Sequence, residues 1–237
     1  MELVESVFKP LWDLIQENIF ESFIGLSILI FVLYQWFFSS LAIAKRQFKK
    51  DAVKPIFNFK EGEFGKIIGK VENISTPLTA PLSGKKCVYY EVIVIRNPGE
   101  DEIKLVEEKK SIDFFISNNS GKALVKINNT AICEINKDIN FSSGWITDPN
   151  NSMKAFLEKH AIKQKGFLNL NKSLDFIEKR FDIGEQIGIL GVGHWEIPTN
   201  TNNNQENNKK VLTFKSLEQH PLFVSDNPKT LENKSVL

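Results

Sequence analysis

The chain has 237 residues and a mass of 27.1 kDa, more than one small domain needs. Forty-two per cent apolar residues and 25% charged ones argue against wholesale disorder and leave room for a core. The 30 basic and 29 acidic residues nearly cancel, which argues against a dedicated nucleic-acid binder.

Residues 1–21 form an N-terminal amphipathic segment. Leu3, Val7, Phe8, Leu11, Trp12, Ile15 and Ile19 recur at helical spacing, with Glu5, Asp13 and Glu17 between them. Pro10 kinks this helix or begins a second one. The segment reads either as an interfacial helix on the outer membrane surface or as a face for self-association through residues 1–44.

From Ser22 to Ala44 run 23 residues without a charge, SFIGLSILIFVLYQWFFSSLAIA. At about 1.5 Å per residue this length matches the roughly 30 Å hydrocarbon layer of a bilayer. The long acidic stretch before it and the lack of a small-residue cleavage site after it fit an uncleaved anchor better than a signal peptide. The flanks set its direction. Five acids and one Lys precede it, whereas Lys45, Arg46, Lys49 and Lys50 follow at once in a basic juxtamembrane segment, 45–51. The positive-inside rule then predicts one pass through the cell (inner) membrane, with the N-terminus outside and residues 51–237 cytoplasmic. The four cations are the expected contacts with anionic headgroups of the lipid bilayer.

Past residue 52 the periodicity turns from helical to alternating. Predicted strands are Gly65–Glu72, Leu82–Arg96, Ile103–Glu108, Ser111–Ser117, Lys122–Ile127, Ala131–Ile135, Leu174–Phe181, Glu185–Val192 and Val211–Phe214. The clearest is the second. It places Val88, Tyr90, Val92 and Val94 on one face and Tyr89, Glu91, Ile93 and Ile95 on the other, so it reads as a central strand covered on both sides, ended by an Asn97-Pro98-Gly99 turn. A helix with Met153, Phe156, Leu157 and His160 on one face starts at a cap on Asn151 or Ser152. The fold class is therefore mainly β, an antiparallel barrel or sandwich with one or two short helices, preceded by an N-terminal transmembrane helix. The expected core includes Val88, Tyr90, Val92, Ile116, Val125, Ile189 and Leu190. The β-rich domain is expected over 52–226, with a disordered Asn-rich loop at 199–210 and a frayed tail at 227–237.

The chemistry-bearing patterns come up empty. Gly65 to Lys70 lacks the spacing and the Ser/Thr of a phosphate-binding loop, and Gly84-Lys85 has Thr79 where that motif needs Gly. Gly188, Gly191 and Gly193 invert the dinucleotide fingerprint and read as bulges or a tight turn. Cys87 and Cys133 read as small buried hydrophobes, and with His160, His194 and His220 they offer no close ligand pair for zinc. No catalytic residue, cofactor or metal site is expected.

Gly69-Lys70-Val71 followed by Ser75-Thr-Pro-Leu-Thr-Ala-Pro-Leu-Ser-Gly84-Lys-Lys-Cys87-Val-Tyr-Tyr90 resembles the opening motif of the BAM or GIDE domain, which belongs to membrane-anchored RING ubiquitin ligases of mitochondria and chloroplasts (MULAN or GIDE). Asp113 to Val125, Phe181 to Gly191 and Pro221 to Asp226 resemble three later segments of that family, in order. Asn118 stands where the family usually has Asp. The resemblance implies a β-rich domain beside a membrane helix. Two cysteines cannot build a RING, so it implies a RING-less, prokaryotic-type member that is not itself a ubiquitin transferase.

The leading expectation is a non-catalytic interaction module held at the membrane, presenting its β-rich domain to an unknown protein or lipid partner. The candidate surface is the loop Pro81, Leu82, Ser83, Gly84, Lys85 and Lys86, with an ordinary connecting loop as the competing reading. The alternative function is the membrane-targeting component of a ubiquitin-like conjugation or stress-response system whose transferase is a separate protein.

Overall fold

The computed structural model describes residues 19–96, 102–144, 147–163, 173–197 and 210–231. The chain divides into two units, Met1–Gln47 and Phe48–Leu237.

In the first unit, helix α1 spans Ile19–Phe38, and α2, Ser40–Lys50, leads into the second unit. The uncharged run is thus not one helix. It breaks at Ser39, whose hydroxyl accepts from the Ala42 backbone N–H at 3.2 Å and so caps α2. Every residue from Phe23 to Tyr34 is exposed. Ser27 in this stretch donates its hydroxyl to the Phe23 carbonyl at 2.7 Å. Among the described residues no helix is both long and apolar enough to cross a membrane. The amphipathic reading of residues 1–18 lies outside the described residues, as do the Asn97-Pro98-Gly99 turn and positions 199–209 of the Asn-rich loop.

The second unit is mainly β, as its alternating pattern predicts. Its strands are β1 (Glu63–Asn73), β2 (Leu78–Thr79), β3 (Lys86–Arg96), β4 (Ile103–Ser111), β5 (Phe114–Asn118), β6 (Gly121–Lys126), β7 (Ile132–Glu134), β8 (Ile139–Ser143), β9 (Leu174–Asp182), β10 (Gln186–Glu196), β11 (Val211–Lys215) and β12 (Phe223–Ser225), with helices α3 (Asn151–Lys159) and α4 (Pro228–Leu231). Strands β1, β5, β6, β11 and β10 pair in a ring, since β10 returns to β1, and this closes a five-stranded barrel. All its pairings are antiparallel except β6 with β11. Closure removes the edges that would otherwise expose unpaired backbone. Strand β12 extends the sheet from β10 and carries β7 in parallel. A second, antiparallel sheet holds β8, β9 and β3, with β2 and β4 paired to β3.

There are two cores. The barrel encloses Ile67, Phe114, Ile116, Val125, Ile189 and Phe214 among others, and the second sheet packs Tyr90, Val92, Val94 and Phe176 against Met153, Phe156 and Leu157 of α3. All seven expected core residues are buried. Strand β3 serves both cores, but not by simple alternation. A register shift between Cys87 and Tyr89 turns Val88 and Tyr89 together into the barrel, where Tyr89 meets the Phe181 ring at 5.5 Å, while Cys87, Tyr90, Val92 and Val94 face α3. Beyond the shift the opposite face carries a charge ladder beside the half-buried Ile93 and Ile95. Glu91 pairs with Lys109 at 2.9 Å and with Lys179 at 2.8 Å.

Three further expectations are corrected. Helix α3 is capped by Asn150, whose Oδ1 accepts from Met153 N at 2.9 Å, one residue before the expected cap. Gly188, Gly191 and Gly193 form neither bulge nor turn, because β10 runs in unbroken register with β1. They make room for side chains. A Cβ on Gly191 would lie 2.7 Å from Leu222 Cδ1, one on Gly193 2.8 Å from Leu212 Cδ1, and one on Gly188 would overlap the buried ring of Phe48. Finally, the ordered fold continues past Asp226. Thr230 of α4 is buried, its hydroxyl 2.9 Å from that of Ser225, and Asn227 ties the segment to Glu134 at 3.0 Å.

Candidate functional site

Of the six residues in the Pro81–Lys86 loop, the structure turns Leu82 into the core under α3, so its side chain leaves the candidate surface. Pro81 and Ser83 are half-buried; Gly84, Lys85 and Lys86 are exposed. The loop is held from below. The fully buried Glu178 carboxylate of β9 accepts from Leu82 N at 2.7 Å and from Ser83 N at 3.3 Å. Ala80 N donates to the Lys85 carbonyl and Gly84 N to the Ala80 carbonyl, both at 2.9 Å, and Gly84 takes the left-handed φ of 71° that closes the turn. Lys86 Nζ donates to Thr79 Oγ1 at 2.8 Å. The loop is therefore a rigid platform with Lys85 at its tip.

Behind it Arg180 joins three carboxylates, Glu178 at 3.3 Å, Asp138 at 3.1 Å and Asp182 at 2.7 Å. More acids lie close by. Burial pushes Glu185 up to about 7, and the nearby Asp226, Asp182 and Asp138 charges add to it. Burial likewise pushes Asp226 up to about 6 although both its oxygens accept from Asn136 N, with Asp138 and Glu134 adding to the shift. Among the described residues no group of His, Cys, Asp and Glu is arranged to hold a metal ion.

Lys45, Arg46, Lys49 and Lys50 all fall on α2, where spacings of one, four and five residues gather them on one side of the helix. Cys87 and Cys133 are free thiols, pushed up by burial to about 11 and about 12, so neither is a ready thiolate nucleophile. His160 follows α3 and is partly buried. Its ring lies tilted against that of Phe156, with centroids 4.6 Å apart, and its Nε2 lies 2.8 Å from Glu108 Oε2.

Sequence reasoning passed over a second feature. A groove of about 690 Å³ opens where β1, the β5–β6 turn and the start of β10 meet. Lys54, Lys70, Asn118, Asn119, Ser120 and Gln186 supply its polar groups. The turn is locked. Asn118 Nδ2 donates to the Ile68 carbonyl at 2.7 Å, its Oδ1 accepts from the Ser120 N–H at 2.8 Å and hydroxyl at 2.6 Å, and Ser120 Oγ accepts from Ile56 N at 2.7 Å. Gly69 lets β5 approach here, because a Cβ would overlap the Ser117 carbonyl. The signal in the sequence was the pair Gly69-Lys70 and the run Asn118 to Gly121. Nothing local shows that strand pairing brings them together with Gln186.

Barrel, second sheet and groove together define a class, a two-core β domain built on a closed five-stranded barrel. No protein-family model, no curated protein and no solved structure matches the chain.

Proposed function

We propose that the protein is a single-pass, membrane-anchored, non-catalytic interaction module of the BAM/GIDE type, presenting its β-rich domain in the cytoplasm to a protein or lipid partner. The observation that carries this is the uncharged run 22–44, in which every residue from Phe23 to Tyr34 is an exposed position of a 20-residue helix. Apolar surface exposed on all sides of a helix is costly in water and favourable in lipid. The internal bond of the Ser27 hydroxyl supports the same reading, since a polar group in hydrocarbon needs a partner within the protein. The cationic side of α2 follows at the position where anionic headgroups would meet it. The four segments that resemble the BAM/GIDE family fall on the β1–β3, β5–β6, β9–β10 and β12 stretches of one folded unit.

The partner surface we propose is the exposed tip of the Pro81–Lys86 loop. Its rigidity supports this, because little order has to be imposed on binding. Partners recovered from solubilised membranes with the wild-type chain should be lost with Lys85→Glu/Lys86→Glu. An unchanged set of partners would remove the loop from consideration.

A further inference from the structure

We infer that the groove between β1, the β5–β6 turn and the start of β10 binds a phosphate ester. Its lining contains two lysines and no carboxylate; Glu63 and Glu72 bond to the edge residues Lys54 and Ser117, so the charge left to favour an anion is that of Lys70. Lys70 is exposed and has no ion-pair partner among the described residues, and Asn119 and Gln186 are exposed beside it. Three donor-bearing side chains from three separate chain segments therefore line one groove, whose walls are about half apolar. The wall behind them is already organised by the Asn118–Ser120–Ile56 hydrogen bonds, so a ligand would order little more than the lysine and glutamine side chains.

The donor types choose among anions. A planar carboxylate gains most from the two-pronged guanidinium of Arg, and the groove has none. A lysine ammonium is a point charge that, with carboxamide N–H groups, suits a tetrahedral phosphate approached from several directions. A volume of about 690 Å³ holds the phosphate with a polar alcohol attached. The same chemistry is offered by a soluble phosphate ester and by a phospholipid head group.

Full-length chain in a neutral, phosphorus-free detergent is titrated with glycerol phosphate and the ³¹P linewidth followed. Saturable broadening is expected. Lys70→Gln should weaken it about tenfold, the worth of one charge-assisted hydrogen bond, with an unchanged melting temperature because Lys70 is exposed. Monomeric short-chain phosphatidylglycerol is then used as competitor. Displacement better than by glycerol phosphate itself identifies a lipid head group, and equal or poorer displacement identifies a soluble ester. No saturable broadening, the same affinity in Lys70→Gln, or equal competition by succinate would overturn the assignment.

Discussion

Gly188 is glycine because Phe48 needs its space. The Phe48 ring is wholly buried, 5.2 Å from the Phe223 ring, and Lys66 Nζ lies 4.3 Å from its centre. Lys66 is itself buried, which lowers its pKa, and its ammonium donates to the carbonyls of Phe48 at 2.9 Å and Thr230 at 3.2 Å. One lysine thus ties the last turn of α2 and the short α4 to the barrel. Gly188→Ala places a methyl where Phe48 and Leu231 now sit, and should cost about 1–3 kcal/mol through overpacking. Thermal unfolding of the full chain in neutral detergent checks this, and an unchanged transition would mean that the socket yields freely. Titration acts at the same scale. Glu185 at about 7 and Asp226 at about 6 are raised above the ordinary carboxylate, so the folded chain holds protons that the unfolded chain releases. Stability from this pair is present below about pH 4 and is lost as pH rises through about 7. Glu107 and Glu108 act oppositely. In Glu107 hydrogen bonds from Lys104 and Lys109 hold the carboxyl at about 2; in Glu108 burial pushes upward but Lys159, Tyr90 and His160 outweigh it, again giving about 2. Their contribution is lost only as pH falls below about 4. Glu185→Gln, which keeps an acceptor for Asp182 N, should flatten the decline in melting temperature between pH 5 and 8; an unaltered slope would show that Glu185 does not titrate in that range.

At the scale of elements, β3 decides whether the two cores form together. It pairs with β2, β4 and β9 and sends side chains into both clusters. Val92 lies in the sheet-and-helix core with no exposed surface. Val92→Asp buries a carboxylate without a partner and should destabilise the chain by more than about 4 kcal/mol, enough to unfold the β domain. Loss of the cooperative near-ultraviolet transition is the expected sign, and a retained transition would refute the placement of this strand. Nine strands are visible in the sequence because each keeps apolar alternation over enough residues to be read. β2, β8 and β12 were missed for physical reasons. Two residues hold no period in β2, β12 is buried at all three positions and so does not alternate, and β8, Ile139–Ser143, alternates over only four residues at the edge of the second sheet. The bulge at Cys87–Tyr89 was invisible too, since Val88 and Tyr89 satisfy the alternating pattern while departing from it in space.

At the scale of the whole molecule, the proposed topology rests on charge asymmetry. Five acids and one Lys precede the apolar run and four cations follow it. A reporter fused to Leu237 that fluoresces only in the cytoplasm should be bright in intact cells. A dark fusion that is nevertheless inserted in the membrane would reverse the orientation without touching the groove or the loop.

The uncharged run, its basic flank, nine of the twelve strands and the core side chains are properties of neighbouring residues, so the sequence alone determined them. Hydropathy, charge and a two-residue period act over a few turns or a single strand. What pairs with what is a long-range matter. Closure of the barrel through β1 and β10, the parallel seat of β11 on β6, and the split of β3 between two cores were decided only by tertiary structure. The same holds for the sites. Lys85 and Lys86 stand together by adjacency, and the sequence could point to them. Lys70, Asn119 and Gln186 become neighbours only when β1 pairs with β5 on one side and β10 on the other, because backbone hydrogen bonding, not sequence distance, sets which side chains share a surface.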